Sequence, residues 1–191
     1  MGMEKKTDLR IERTYFLLHN AFTELLEEKR FEDLTVNELC ERAMIRRTTF
    51  YKHFADKYEY FAFYMKELCA SFQDQLPPDV TGDELNPYFL SMSRELLRFI
   101  TRHEKLIRNV ADSTMFPVVL DILSEQIFED ILRVQRRMNK AEKVDKLRME
   151  GVAAFYSGGL LNVLRLWLKR GTPIDEEELI QAISGFLERK S

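Results

Sequence analysis

Apolar residues recur every three or four positions along most of the chain. In the first such segment, from about residue 9 to residue 29, one stripe is made of Ile11, Tyr15, Leu18, Phe22, Leu25 and Leu26. Because an α-helix completes a turn in 3.6 residues, this spacing places the apolar side chains on one face of a helix. No segment shows a convincing strand pattern, so the sequence predicts an all-α fold.

Interruptions in this pattern divide the chain into about nine predicted helices. They cover residues 9–29, 36–43, 46–53, 56–76, 84–101, 104–112, 115–139, 142–170 and 176–189. Two helices begin with a capping box, in which Thr35 with Glu38, and Asp56 with Glu59, satisfy free backbone amides. A loop rich in proline and glycine follows the fourth helix, and a Gly-Thr-Pro step separates the last two.

The composition suits a globular protein with a full core. Of the 191 residues, 45% are hydrophobic and 32% are charged, and the net charge is −3. No apolar run approaches the roughly 20 residues that span a bilayer, and the first residues lack the apolar core of an export signal, so we expect a cytoplasmic protein. Cys40 and Cys69 lack metal-ligand spacing, so we expect reduced packing residues, no metal and no cofactor.

One short window departs from the acidic average. From Arg46 to Lys57, four cations and one acid give a net charge of +3, so the rest of the chain carries −6. The window holds the second of two short predicted helices joined by a tight turn, which is typical of a helix-turn-helix. Cations and hydroxyls can bind phosphates there, and Phe50 and Phe54 lie on the opposite face as expected anchors. The alternative is an ordinary solvated charged face.

The same residues form a recognisable motif. The run A-M-I-R-R-T-T-F-Y-K-H-F followed by D-K resembles the TetR family of transcriptional regulators, whose common form is A-G-V-S-x-G-T-F-Y-x-H-F. The preceding F-x-x-L-T-V-N-E-L resembles that family's approach to its second helix. The resemblance implies a helix-turn-helix DNA-binding domain over residues 1–57 and a helical ligand-binding and dimerisation domain over residues 58–191.

Carried over residue by residue, the resemblance implies a set of DNA contacts. Base or mixed contacts are expected for Arg47, Thr48 and Thr49. Phosphate contacts are expected for Thr35, Arg46, Tyr51, Lys52, His53 and Lys57. At Lys57, the ammonium would join exposed backbone amides at the start of the fourth helix to hold an anion.

Two residues depart from the family's common form. Met44 stands where the turn usually has a glycine, which costs about 1 kcal/mol if the backbone needs a positive φ there. Arg46 stands where a serine usually caps the helix, so a cap is lost and a cation is gained.

The larger domain offers a candidate dimer interface. The segment from Phe155 to Gly171 is similar to the penultimate helix found in the dihydroxyacetone-kinase operon regulators of this family. Two adjacent glycines inside that helix each cost roughly 1 kcal/mol against alanine, which favours a close helix crossing. A kink or a packing gap within one subunit is the alternative. The last two long helices are therefore expected to form a homodimer interface through Tyr156, Gly159, Val163 and Trp167.

Aromatic and methionine residues are frequent in the same domain. They are typical of a pocket for an apolar or amphipathic effector, although a stripe of aromatics is also typical of plain core. The pocket is expected to be lined by Phe63, Phe72, Phe89, Met92, Phe116, Phe128 and Phe155.

The sequence favours one class of function, leaves a second open and argues against a third. The favoured one is a repressor that binds a palindromic operator in double-stranded DNA as a homodimer and is released by a small-molecule effector. The second is a DNA-binding dimer without such a ligand, controlled by a protein partner or acting as an activator or architectural factor. The third, an enzyme, is not expected, because the sequence has no Gly-rich phosphate loop, no H-E-x-x-H and no nucleophile elbow.

Overall fold

The computed structural model describes residues 9–74, 85–138, 145–170 and 176–188, and within these ranges the chain is helical without a strand. The helices are α1 (Leu9–Glu28), α2 (Val36–Arg42), α3 (Arg47–Phe50), α4 (Lys57–Asp74), α5 (Leu85–Arg102), α6 (Glu104–Ala111), α7 (Phe116–Met138), α8 (Lys146–Arg170) and α9 (Glu176–Glu188). A 3-10 turn, Phe31–Asp33, lies between α1 and α2. The predicted all-α fold is confirmed.

The described chain divides into two compact units. The N-terminal unit contains the described residues up to Tyr64 together with Lys105–Phe116, and the C-terminal unit contains Met65–Glu104 and the described residues from Pro117 onward. The first turns of α4 and nearly all of α6 thus join α1–α3, whereas the sequence predicts a boundary after residue 57. The roles of the two units in DNA binding and effector binding stay a prediction.

An aromatic cluster forms the core of the N-terminal unit. The ring of Phe22 on α1 lies 5.0 Å from those of Tyr60 and Tyr64 on α4 and 5.9 Å from that of Phe61. All four residues are essentially inaccessible to solvent. These contacts explain why α4 begins within this unit, because its first turns complete the core that the apolar stripe of α1 starts.

Local hydrogen bonds fix where the short helices begin. Thr35 Oγ1 accepts a hydrogen bond from the Glu38 amide, and the Thr35 amide donates to the Glu38 carboxylate, so the first predicted capping box is confirmed. At α4, Asp56 Oδ1 accepts from the amide of Glu59. The Glu59 carboxylate, however, accepts from the amide of Ala55 rather than that of Asp56.

The C-terminal unit is built from the longer helices. Its core is made of apolar residues from α5 and α7, including Leu97, Ile131 and Val134. Hydrogen bonds join α8 to both helices. Tyr156 of α8 donates its hydroxyl proton to Asn86 Oδ1 of α5, and Gln135 Nε2 of α7 donates to the carbonyl of Met149 of α8. None of the described helices contains a stretch long and apolar enough to cross a membrane.

Candidate nucleic-acid interface

The turn between α2 and α3 is a Schellman motif centred on Met44. The amide of Ile45 donates to the carbonyl of Cys40 (2.9 Å), and the amide of Met44 donates to the carbonyl of Glu41 (3.1 Å). Met44 has φ 53°, and it is the one non-glycine residue with positive φ in the described chain. The glycine that the family usually has here would avoid a strain of about 1–2 kcal/mol.

The helix α3 is held to the N-terminal unit by one apolar face. Phe50 and Phe54 are buried, and their rings lie 5.8 Å and 4.9 Å from the ring of Tyr60 on α4. The predicted anchoring by these two phenylalanines is confirmed. The helix is shorter than predicted, because residues 51–53 continue as turn rather than as regular helix.

The opposite face of this segment carries the predicted cations and hydroxyls. Arg46, Arg47, Thr48, Tyr51 and Lys52 are all exposed, and Thr49 is half-buried. The Arg47 guanidinium carbon lies 5.9 Å from the centre of the Tyr51 ring, a cation–π distance that restricts the arginine to this face. The structure therefore brings six of the nine predicted DNA-contacting residues onto a single short segment.

Two other predicted DNA contacts also have partners within the protein. His53 is half-buried, and its Nδ1 lies 3.3 Å from the hydroxyl of Tyr15, with the two rings edge to face. Thr35 donates its hydroxyl proton to the Glu38 carboxylate (2.9 Å). His53 and Thr35 can therefore contact DNA only through atoms that these hydrogen bonds do not use.

Lys57, for which a phosphate contact is expected, forms hydrogen bonds within the protein. Its ammonium donates hydrogen bonds to the carbonyl oxygens of Phe31 (3.0 Å), Glu32 (2.8 Å) and Leu34 (2.7 Å), which occupy all three of its protons. Burial lowers the pKa of this amine. Asp56 Oδ1 also accepts from two of the first amides of α4. In this structure the groups expected to hold an anion are thus bonded within the protein, and the phosphate contact of Lys57 stays a prediction.

The structure also contains a group of hydrogen bonds that no sequence pattern predicts. Glu32 Oε1 accepts hydrogen bonds from the amide and the hydroxyl of Thr114, at 2.6 Å and 3.0 Å. Nearby, Arg30 donates to the carbonyl of Asp112 (2.7 Å), and Asn109 donates to the carbonyl of Leu26 (2.8 Å). These bonds hold α6 against the last turn of α1, and the turn after α6 against the connection between α1 and α2.

Two of the predicted pocket residues lie in the N-terminal unit. Phe63 belongs to the N-terminal unit, where its ring lies 5.0 Å from that of Tyr15, and Phe116 belongs to the same unit. Met92 is buried in α5, and Phe128 lines an open groove between α7 and α8. The side chain of Phe72 lies outside the described part of the structure. Helical spacing identifies apolar faces but not which space each face encloses, so a common pocket for these residues stays a prediction.

Phe89 and Phe155 do meet, in a half-open apolar groove of about 290 Å³ between α5, α8 and α9. Three of the predicted interface residues, Tyr156, Gly159 and Val163, line the same groove. The side chain of the fourth, Trp167, lies outside the described residues. The sequence assigned these residues to two different sites, whereas the fold gathers them in one.

The glycine pair in α8 faces no close neighbour within the described chain. A Cβ atom added at Gly158 or Gly159 would meet no atom of another element within 4 Å. The described part of the chain leaves space at these glycines for another helix, and the predicted interface stays a prediction. Phe155 on the same helix is 59% exposed.

Comparison with known proteins gives two family matches. A family described as "Bacterial regulatory proteins, tetR family" matches residues 19–62, and one described as "Transcriptional regulator C-terminal region" matches residues 89–189. The HTH-type transcriptional regulator YxbF of Bacillus subtilis, described as uncharacterized, is 36% identical over 74 residues, which are 38% of this chain and 20% of that protein. YdeS of the same organism, described in the same terms, is 32% identical over 95 residues, 50% of this chain and 46% of that protein. The chain thus spans less than half the length of these relatives.

Solved structures show the same fold. The dihydroxyacetone kinase operon activator DhaS superposes with a TM-score of 0.66 at 18% identity, covering 93% of this chain and 95% of DhaS. A TetR transcriptional regulator from Rhodococcus sp. RHA1 superposes with a TM-score of 0.58 at 15% identity, covering 96% and 99% of the two chains.

Proposed function

This chain belongs to the TetR family of bacterial transcriptional regulators, and we propose that it is a repressor that binds a palindromic operator as a homodimer and is released by a small apolar or amphipathic effector. It is a DNA-binding regulator and not an enzyme. The observation that carries the proposal is the exposed cationic face of α3, opposite the two buried phenylalanines.

We assign different tasks to the residues of that face. Arg47, Thr48 and Thr49 lie at the start of α3, where recognition helices meet base edges, and Arg47 can pair bidentately with guanine. Arg46, Tyr51 and Lys52 bind phosphates, which gives affinity and fixes the register without reading sequence. Thr35 and His53 add phosphate contacts from positions that their internal hydrogen bonds hold in place.

The homodimer is proposed to form through α8 and α9. Support comes from the exposed side chains of Phe155 and Leu166 and from the open space around Gly159. Because a two-fold dimer repeats each reading helix, two half-sites about 34–36 Å apart, or a multiple of that distance, would be bound together.

The effector is proposed to bind in the C-terminal unit, and the apolar groove beside Phe89 supports a small, largely uncharged ligand. An effector changes operator affinity only if it prefers one conformation of the protein over another. The chain offers a route for that preference, because α6 follows α5 directly. Asn109 of α6 is hydrogen-bonded to the end of α1, and the turn after α6 is hydrogen-bonded to the connection between α1 and α2. A shift at the end of α5 would reach the DNA-binding helices through these bonds.

A second candidate function has one observation in its favour. DhaS, whose fold this chain shares, is named an operon activator. The alternative is therefore a DNA-binding dimer without a small-molecule ligand, controlled by a protein partner or acting as an activator. Both candidates require the same DNA-binding face. They differ in whether the C-terminal unit binds a small molecule, and in whether the protein represses transcription.

The test begins with selection of duplexes from a random pool by the purified protein. Enrichment of a palindrome is expected, and enrichment of no sequence would contradict operator binding. A thermal-shift screen of small apolar compounds follows, with operator titration for each hit, and lowered operator affinity supports the effector. If hits bind without changing operator affinity, the second candidate replaces the first. A reporter gene behind the selected operator separates repression from activation.

A further inference from the structure

Met44 combines a strained backbone with an apolar side chain that stays exposed. Its positive φ strains the backbone of any residue with a Cβ atom. Its side chain is also 86% exposed, more than that of any other large hydrophobic residue in the described structure. Burial of the side chain therefore does not offset the strain. A glycine would hold the same turn without either disadvantage, and neither feature is explained by packing within the chain.

The position of Met44 relates it to the proposed DNA-reading face. Met44 lies two residues before Arg46, the residue that caps α3, so their Cα atoms are at most about 7.6 Å apart. The amides of Thr49 and Phe50 both donate to the carbonyl of Arg46, which fixes the start of α3 relative to the turn. When the start of a recognition helix enters the major groove, the turn before it reaches the edge of that groove.

The chemistry of the side chain decides what Met44 can contact there. A thioether with no N–H or O–H donor cannot bind a phosphate, whereas it packs well against apolar groups because it is flexible and polarizable. The apolar group that the major groove presents is the C5 methyl of thymine.

Resting on the proposed DNA binding, we propose that Met44 is a specificity-determining residue that contacts the methyl group of one thymine at the edge of each half-site. The exposed methionine thereby extends the base-reading surface beyond α3 itself. The strain of the turn is retained because the side chain is used in the complex rather than in the free protein.

The test uses the operator selected by the wild-type protein, with each thymine replaced in turn by deoxyuridine, which removes only the methyl group. Burying one such group corresponds to about fourfold in affinity, so wild type should lose about fourfold per half-site at one symmetric pair of positions. Met44→Gly should bind the operator but respond less than twofold at that pair. Met138→Ala, at an exposed methionine of α7, should respond as wild type does.

The melting temperature provides an independent check that the turn is intact. Met44→Gly relieves the strain and should melt roughly 2–4 °C higher than wild type. Identical deoxyuridine profiles for wild type and Met44→Gly would overturn the inference, as would equal weakening on every sequence, which indicates a backbone contact. If the wild-type protein enriches no sequence at all, operator binding fails as well, and the two failures are therefore distinguishable.

Discussion

The ammonium nitrogen of Lys57 lies 2.7 Å from the carbonyl oxygen of Leu34, and the same nitrogen binds two more carbonyls of the 3-10 turn between α1 and α2. The Phe31 carbonyl also accepts from the amide of Leu34, so Lys57 adds a second donor there and joins three carbonyls of this connection. In the free protein, these bonds let a residue expected to contact DNA also stabilise the helix-turn-helix.

Lys57→Met should therefore destabilise the fold. The substitution keeps the approximate length of the side chain but removes the ammonium from three part-buried carbonyls, of which only that of Phe31 keeps a backbone donor in the described structure. We expect a loss of about 1–3 kcal/mol in the free energy of unfolding, measured by urea denaturation. Lys52→Met is the matched control on the exposed face. It should leave stability unchanged within about 0.5 kcal/mol and reduce the slope of log affinity against log salt by about 1. A Lys57→Met variant of unchanged stability with a reduced salt slope would show that Lys57 binds a DNA phosphate and does not stabilise the fold.

Two buried tyrosines of α4 should respond oppositely to loss of their hydroxyl groups. The Tyr64 hydroxyl lies 2.8 Å from Thr23 Oγ1, and Thr23 already donates its proton to the carbonyl of His19, so Tyr64 is the donor. Tyr64→Phe should cost about 0.5–1.5 kcal/mol. The Tyr60 hydroxyl is buried without a hydrogen-bond partner in the described ranges. Tyr60→Phe should be neutral or stabilising by up to about 1 kcal/mol. Equal losses in thermal or urea unfolding would show that Tyr60 has a partner.

Acid should weaken the start of α2. Hydrogen bonds from Lys29, and then from the hydroxyl and amide of Thr35, lower the pKa of Glu38 from 4.5 to about 2. Because the pKa is depressed in the folded state, the stabilisation is complete above pH 4.5 and is lost as the pH falls towards 2. Glu38→Gln should reduce stability at neutral pH and flatten its pH dependence across this window, whereas Glu12→Gln on α1 should leave both unchanged. Parallel curves for wild type and Glu38→Gln would contradict this origin of the acid sensitivity.

Most of the fold could be predicted from periodicity and capping. The stripe of α1 and the Thr35–Glu38 box are encoded in neighbouring residues, and the strain at Met44 follows from the turn geometry of the family motif. The ammonium of Lys57 and the bond between Glu32 and Thr114 could not be predicted. Both contacts join residues that are far apart in the sequence. A local pattern does not show which distant segments come together.

Local sequence patterns also do not show which helix faces enclose a pocket. Phe63 lies on a helix that begins in one unit and ends in the other, so its helical spacing cannot decide which core it joins. Phe89 and Phe155 were assigned to a pocket and Tyr156 to an interface because the sequence shows apolar character without showing which faces come together.

The proposed dimer can be tested at the exposed face of α8. Phe155 is 59% exposed, and Phe155→Asp places a charge where apolar contact with a second molecule is proposed. The wild-type protein should scatter light as a particle of twice 22.7 kDa, and the variant as a particle of 22.7 kDa, at micromolar concentration. Val118→Asp, at an exposed position of α7, should remain dimeric. A monomeric wild type, or a variant that stays dimeric with unchanged circular dichroism, would contradict an interface at this face.

The central claim is that the exposed face of α3 reads DNA sequence, and Arg47→Ala tests it most directly. With the operator selected by the wild-type protein, binding to every single-base variant is measured for wild type, for Arg47→Ala and for Arg136→Ala, an exposed arginine of α7. Arg47→Ala should weaken specific binding by about 1–3 kcal/mol and lose its base preference at one position in each half-site, while Arg136→Ala should match wild type. If Arg47→Ala keeps every base preference and weakens all sequences alike, α3 does not read bases through this arginine and the account is wrong.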